Sequence, residues 1–391
     1  MMIAAGDGQA LLQGVRIVDL TSVVFGPYST QVLADMGADV IKVEAPGGDA
    51  FRYSARAPHT VGMAPGFIAI NRGKRSVVLD LKQPGDLAVM HGLLGETDVF
   101  MLNVRGKAAE RLGLDYEAVQ ALNPEIVYVH CVGFGQDGPY ADLQAYDDVI
   151  QAATGSTTLL SRVDGNPRAR YLPSLIADKV AGLHGAYAVL AAIIHRLRTG
   201  RGQRVEVPMF EAFTSFMLAE HLGGLTFDPP VGDVCYSRQL DPDRQPFPTR
   251  DGYVSLVCYV DETWPRLFEL LGNPTFLDAP EFATRRLRVI NLSLLYREIT
   301  RLTPAFLTAD LVAKCHAAQI PAQAVRDIAD IMDDPHLQAS GFFRPRVHAS
   351  EGDYFEMQPP VRFDDAETAP TTPAPSLDEH GPAVRRSGFS G

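Results

Sequence analysis

The chain has 391 residues, 46% hydrophobic and 21% charged, enough for two or three domains around a sizeable core and ordinary for a globular protein. A net charge of −12 and a pI near 5.3 exclude a surface that attracts nucleic acid or acidic membranes as a whole. Any anionic ligand must therefore be met by a local group of cations.

Cys131, Cys235, Cys258 and Cys315 lie far apart, with no CxxC pair and no zinc-ligand spacing, so they read as reduced thiols and no metal is expected. The opening MMIAAGDGQALLQG lacks a basic start followed by an apolar core, which points to a cytoplasmic protein.

In chain order, Val15–Leu20 reads as a strand, Ser29–Met36 as a helix and Ala38–Glu44 as a second strand, with the loop TSVVFGPY between the first two. This unit resembles a dinucleotide site, with Glu44 where a ribose-binding acid would stand. Its turn holds Gly26 alone instead of G-x-G-x-x-G, so nicotinamide binding is disfavoured. Asn71-Arg-Gly-Lys-Arg-Ser76 leads into a strand expected at Val77–Leu81. Arg72, Lys74 and Arg75 there could clamp a polyphosphate, although a basic turn is more often a solvated face.

The alternation continues with a helix at Gly85–Leu94, a strand at Asp98–Leu102, a loop containing Arg105, a helix at Tyr116–Leu122 and a strand at Ile126–Val132. Such alternation implies a parallel sheet covered on both faces, with ligand loops at the carboxyl ends of the strands. TSVVFGPY, the Arg105 loop and Gly133–Tyr140 fall at those ends, whereas NRGKR does not. Gly133–Tyr140, with Gly135 and Tyr140, suits close approach of backbone amides to a ligand; no Gly-Lys-Ser/Thr follows to make it a Walker loop. Asp147 and Asp148 then open another helix and read as caps for it.

Ser174–Met209 is the organising stretch. From Val180 to Ile194 no residue is charged, and His195, Arg196, Arg198 and Gly200 supply the stop. Those fifteen residues rise about 22 Å, short of the roughly 20 residues a membrane span needs, so the helix is expected inside protein. Asp178 lies in its first turn, where unpaired amides and the helix dipole favour an ionised carboxylate, either as a cap or partner of Lys179 or as a nucleophile. Beyond a helix at Phe210–Leu222, Asp228–Gly232 reads as a linker. A strand at Tyr253–Tyr259 and helices at Trp264–Leu271 and Leu287–Leu302 suggest a smaller α+β domain to about residue 335. Strands are expected near Tyr354 and Val361, and the last twenty or so residues read as loosely ordered.

Together, GVRIVDLTSVVFGPYSTQVLADMGADVIKVE, NRGKRSVVLDLK, AERLGLDYEAVQALNPEIVYVHCVGFGQDGPY, the Asp178 helix and TGRGQRVEVPM resemble the family III CoA-transferases, a group that also contains the α-methylacyl-CoA racemases. The resemblance covers about residues 12–215, and more weakly Pro248–Tyr253 and the tail. It implies an α/β fold, with a Rossmann-like large domain (1–222), a smaller domain with linkers (223–335), a C-terminal segment returning to the large domain (336–391), and an interlocked homodimer.

It also implies transfer of CoA between an acyl-CoA thioester and a carboxylic acid through a covalent intermediate on Asp178. CoA is the substrate, and no further cofactor, nucleic acid or membrane partner is expected. Arg72, Lys74, Arg75 and Arg105 fall in motifs that meet the nucleotide and phosphates of CoA, and Val23–Tyr28, with Val23 and Val24, supplies the loop near the thioester. Three departures weigh against formyl or oxalyl specificity: Val24 where formyl-CoA-type enzymes carry glutamine, Asn103-Val-Arg-Gly-Lys107 for Asn-Phe-Arg-Pro-Gly, and no glycine run before the small-domain strand. The alternatives are a racemase and a non-catalytic acyl-CoA-binding protein. The racemases pair the acid with a histidine where this chain has Tyr146, and tyrosine, with a reference pKa near 10, is a poor base at neutral pH. His130 and His184 are the remaining candidates for a second base.

Overall fold

The computed structural model describes residues 10–364 and 372–390. Two compact units divide the chain. The larger runs to Thr157, resumes over Tyr171–Ala219 and takes in everything from Leu337; the smaller comprises Thr158–Arg170 and Glu220–His336. The short excursion 158–170 thus belongs with the smaller unit, whereas the sequence reading placed it in the large domain.

In chain order the elements are β1 (Arg16–Leu20), α1 (Phe25–Asp35), β2 (Asp39–Glu44), α2 (Pro65–Asn71), β3 (Lys74–Val78), α3 (Pro84–Gly95), β4 (Val99–Leu102), α4 (Gly106–Arg111), α5 (Tyr116–Leu122), β5 (Val127–Val132), α6 (Asp147–Ala153), α7 (Leu159–Asp164), α8 (Ile176–Thr199), β6 (Gln203–Pro208) and α9 (Met209–His221). The six strands form one parallel sheet in the order β3-β2-β1-β4-β5-β6. Chain order reverses between β1 and β4, and the carboxyl edge at such a switch point is where open α/β sheets place their ligand crevice.

Neighbouring residues on each strand serve opposite cores. Ile17, Val40, Met101 and Val129 pack with α1 and α8, while Val18, Ile41, Phe100 and Tyr128 pack with α3 and α5. A sheet covered on both faces explains why its strands read as nearly unbroken apolar runs.

β3 begins earlier than expected, at Lys74, and this puts the side chain of Lys74 inside the protein. The stretch 372–390 is not loosely placed: it lies along β3, with Gly73 N donating to Thr372 O (2.8 Å), Val78 N to Asp378 Oδ1 (2.7 Å) and His380 N to Ser76 O (3.0 Å). It covers the edge strand of the sheet, whose unpaired amides would otherwise be open to another chain.

In the smaller unit β7 (Phe247–Pro248), β8 (Tyr253–Leu256) and β9 (Ala322–Ala324) form an antiparallel sheet, with α10 (Thr263–Leu270), α11 (Arg285–Ile290), α12 (Leu292–Leu302) and α13 (Thr308–Ala317). The expected helix over 287–302 divides at Asn291, and the expected strand 253–259 stops at Leu256. Trp264, Phe268, Phe282, Leu295 and Cys315 form its core. After α14 (Pro335–Ala339), β10 (Phe343–His348) and β11 (Gly352–Met357) make a hairpin, and α15 (Gly381–Ser387) ends the described chain; no strand forms at Val361.

Candidate active site

α8 is longer than its uncharged run. Its 24 residues, ended by Gly200 in the left-handed conformation, span about 36 Å and are long and apolar enough to cross a bilayer. The length argument drawn from sequence therefore fails, and contact takes its place. Gly182 and Gly185 lie against α1: a Cβ at Gly182 would come within 3.0 Å of Phe25 O, and one at Gly185 within 2.5 Å of Ser29 Oγ. Ser29 Oγ donates to Gly182 O at 2.7 Å. The turn of α8 ahead of Gly182, which carries Asp178, accordingly lies toward the amino end of α1 and the loop leaving β1.

The orphan amides of that turn are not left for Asp178. Asp147, at the start of α6, accepts Ala177 N (2.7 Å) and Asp178 N (3.1 Å) on Oδ1, and its Oδ2 accepts Gln151 Nε2 at 2.6 Å. One helix turn along, Gln151 also holds the approach to α8, accepting Leu172 N on Oε1 (2.9 Å) and donating to Ser174 O (3.2 Å). Asp147 was expected to cap its own helix; it caps α8 instead. Asp148 is exposed. Sequence held one signal for this clamp: an Asp and a Gln four residues apart on one face of a short helix.

The Asp178 carboxylate is left nearly alone. The residue is 6% exposed, and among the described residues no hydrogen bond or ion pair reaches its oxygens; Lys179 bonds Ser174 Oγ at 2.7 Å. Burial, with the neighbouring charge of Asp147, pushes its pKa up to about 7. This reverses the expectation from the helix dipole, because a carboxylate of this chain already occupies the amides that would have held Asp178 ionised. Near neutral pH the group is available as an anion whose lone pairs are uncommitted, as a nucleophile requires.

Beside it, the β1 and β4 loops are tied at the switch point: Ser22 N donates to Asn103 Oδ1 (3.2 Å) and Asn103 Nδ2 to Ser22 O (3.1 Å). Val23 takes φ +69°, a conformation costly for a β-branched residue, and its amide donates to Asp49 Oδ1 at 2.9 Å. Val24 is buried as the first residue before α1. Arg105 is exposed at the start of α4, with no ion pair among the described residues.

The other basic residues have protein partners. Lys74 is 1% exposed, and its Nζ bonds Asn71 Oδ1 (2.8 Å), Pro27 O (2.9 Å) and Asp19 Oδ2 (3.3 Å). Burial brings its pKa down to about 8 against the pull of Asp19. Arg72 pairs with Asp35, and Arg75 turns to Asp39 at the amino edge of the sheet (2.7 Å), away from the crevice. In the β5 loop, Gly135 N donates to Glu211 (3.0 Å) and Gln136 N to Glu206 (3.0 Å), so carboxylates of this chain stand where a ligand was expected; Tyr140 is half exposed and packs edge-on against Phe134. Glu44 is held by both ends of the Arg52 fork at 2.7 Å and by Ser76, and is no ribose acceptor.

The structure thus brings Asp178, Val23, Val24 and Arg105 toward one edge and gives Lys74, Arg72 and Arg75 internal work. Among the described residues, none of the candidates for a second base hydrogen-bonds Asp178. Tyr146 is 64% exposed, and His130 Nε2 and His184 Nδ1 lie 2.9 and 2.8 Å from the carbonyls of Val104 and Val180.

Comparison with known proteins agrees. The family model for CoA-transferase family III matches residues 12–381. Succinate–glutarate CoA-transferase of Agrobacterium fabrum is 33% identical over 94% of this chain and 93% of its own length, and formyl-CoA:oxalate CoA-transferase of Streptomyces avermitilis is 31% identical over 95% and 94%. The crystal structure of a CaiB/BaiF family protein from Brucella suis superposes with a TM-score of 0.81 at 30% identity, covering 97% of this chain and 99% of that one. The racemase alternative is not favoured by these relatives. From the family match over nearly its whole length and the fold it shares, this chain belongs to the family III CoA-transferases and is an enzyme of that family.

Proposed function

We propose that Asp178 is the nucleophile of the CoA transfer. Its carboxylate attacks the carbonyl carbon of the donor thioester, the carbon–sulfur bond breaks, and CoA leaves as thiolate beside an aspartyl–acyl anhydride. The thiolate then attacks the aspartyl carbonyl, releasing the donor acid and leaving an aspartyl–CoA thioester. The acceptor carboxylate repeats these steps in reverse: it forms a new anhydride with Asp178, and the thiolate takes its acyl group. No proton has to move and no water enters, so the energy of the thioester is conserved. The observation that carries this reading is the environment of Asp178: buried, without hydrogen-bond donors, and with its pKa raised to about 7. Incubation with an acyl-CoA, trapping with hydroxylamine or borohydride, and peptide mass spectrometry is expected to place the modification on Asp178. Modification elsewhere, or α-deuterium exchange of a 2-methylacyl-CoA without acyl transfer, overturns it.

The relatives' names include succinate, glutarate, oxalate and L-malate, and a short dicarboxylic acid is the acceptor class we propose here. For CoA itself, Arg105 is the proposed phosphate contact, with Val23 and Val24 at the thioester and Gly135 and Tyr140 flanking it. Arg72, Lys74 and Arg75 then serve through the elements they hold. Replacing Arg105 with Ala is expected to weaken CoA binding roughly ten- to a hundredfold by calorimetry.

A cytoplasmic homodimer completes the proposal. Leu183, Tyr187, Ile194 and Leu197 share one face of α8 and are 51%, 58%, 51% and 66% exposed in the single chain, a surface that a second copy would cover. Light scattering on the wild type and on Leu183→Asp tests this: a wild-type monomer refutes it.

A further inference from the structure

We propose that the smaller unit carries a separate site for a small carboxylate- or phosphate-bearing ligand, held through its oxyanion by Arg238, Arg285 and Arg288. These three line a cavity of about 570 Å³ between the start of α11 and the turn that follows β8, in a chain whose net charge is −12. That volume lies in the range of small-molecule sites.

The guanidinium groups are incompletely used. Arg238 makes no ion pair among the described residues; it lies over the Tyr259 ring, 4.4 Å from Cζ to centroid, and its buried Nε has no acceptor. The Tyr296 hydroxyl is a hydrogen-bonding neighbour of the Arg238 guanidinium within the chain. Arg288 spends Nη2 on Asp261 (3.0 Å) and Nη1 on Phe282 O (2.8 Å), and its Nε is buried without a partner. Arg285 is exposed and has no partner among the described residues.

The acids in the lining are already engaged. Asp261 is taken by Arg288, and Asp241 accepts Asp243 N (2.9 Å) and Ser293 Oγ (2.7 Å). Three guanidinium groups against two carboxylates that are already engaged leave the lining with an excess of positive charge, which an oxyanion in the cavity would answer. Tyr259 and Trp264 in the wall add flat apolar surface for the body of the ligand. Carboxylate and phosphate share this chemistry.

Trp264 is the single tryptophan of the chain, so intrinsic fluorescence of the full-length protein reports on this cavity directly. Titration with succinate, with inorganic phosphate and with adenosine 3′,5′-bisphosphate is expected to give a saturable change for at least one, and the arm that responds identifies the anion. Arg238→Met and Arg285→Gln are expected to weaken it roughly ten- to a hundredfold. Arg285→Lys should restore part of the loss, and Asp178→Ala should leave it unchanged, because the site does not rest on the chemistry at Asp178. Three results overturn the proposal: no saturable change with any of the three anions at millimolar concentration, equal affinity in the arginine variants, or loss of the response in Asp178→Ala.

Discussion

Asp19 and Asp178 are both buried carboxylates of the larger unit, and their pKa values move in opposite directions. Burial raises both. At Asp19 the cations Lys74 and Lys42 and the hydroxyls of Thr21 and Thr30 outweigh it, and the pKa ends below the usual carboxylate range. At Asp178 no donor or cation among the described residues offsets burial, and the neighbouring charge is that of another acid, Asp147. Burial alone therefore does not distinguish a structural acid from a reactive one; the supply of donors does. Asp19 anchors the loop that leaves β1, and the Asp178 carboxylate is left without a donor among the described residues.

The largest expected effect separates the two by activity. Asp178→Ala should lower CoA exchange with a labelled acid by about 10⁴-fold or more while circular dichroism stays native. Activity within tenfold of wild type would show that Asp178 is not the nucleophile.

Lys74→Ala attacks the other member of the pair. It strips Asp19 of a cation inside the protein and frees Pro27 O, and a loss of about 3–5 kcal/mol in urea unfolding is expected. A loss under 1 kcal/mol, with CoA binding abolished, would return Lys74 to direct contact with the ligand.

The pH dependence of stability is the next test. Asp178 has a folded pKa near 7 and an unfolded value near 3.9, so between those pH values the native state binds more protons than the unfolded one, and stability falls as pH rises. Asp178→Asn lacks this term. Its advantage over wild type should grow from nothing near pH 4 toward about 4 kcal/mol above pH 7, measured by urea unfolding. Exchange by the wild type should rise through the same window as the carboxylate ionises. An advantage that does not change with pH would mean that Asp178 ionises as an ordinary surface acid.

The smallest effect is the most diagnostic. Asp147→Asn keeps an oxygen for the α8 amides but removes the charge facing Asp178 and sets an amide NH2 against Gln151 Nε2, so it should cost about 1–3 kcal/mol. The acidic limb of the pH–rate profile should move to lower pH, because a like charge no longer opposes ionisation. An unmoved profile would leave burial as the whole cause of the shift.

Much of this was already legible in the chain. The alternation of apolar runs with turn residues set out β1, β2, β4, β5, α3 and α5 to within a residue or so. Asp178 stood out because it opens a long uncharged helix, and the motifs around it carried the family. These signals are local: periodicity and stop residues act within contiguous segments, and the backbone obeys them before any distant contact forms.

Which polar group answers which was decided only by the fold. Asp147 caps a helix that begins about thirty residues downstream, Lys74 reaches Asp19 across β2, Glu206 and Glu211 fill the amides of the β5 loop, and 372–390 returns to cover β3. Nothing in the neighbouring sequence of any of these residues names its partner. A side-chain hydrogen bond costs little to redirect in an open chain, and only the packed sheet, by removing water, makes one pairing far better than the rest. NRGKR shows the consequence: as a sequence it is three cations offered to a phosphate, and in the fold it is three cations with partners of their own.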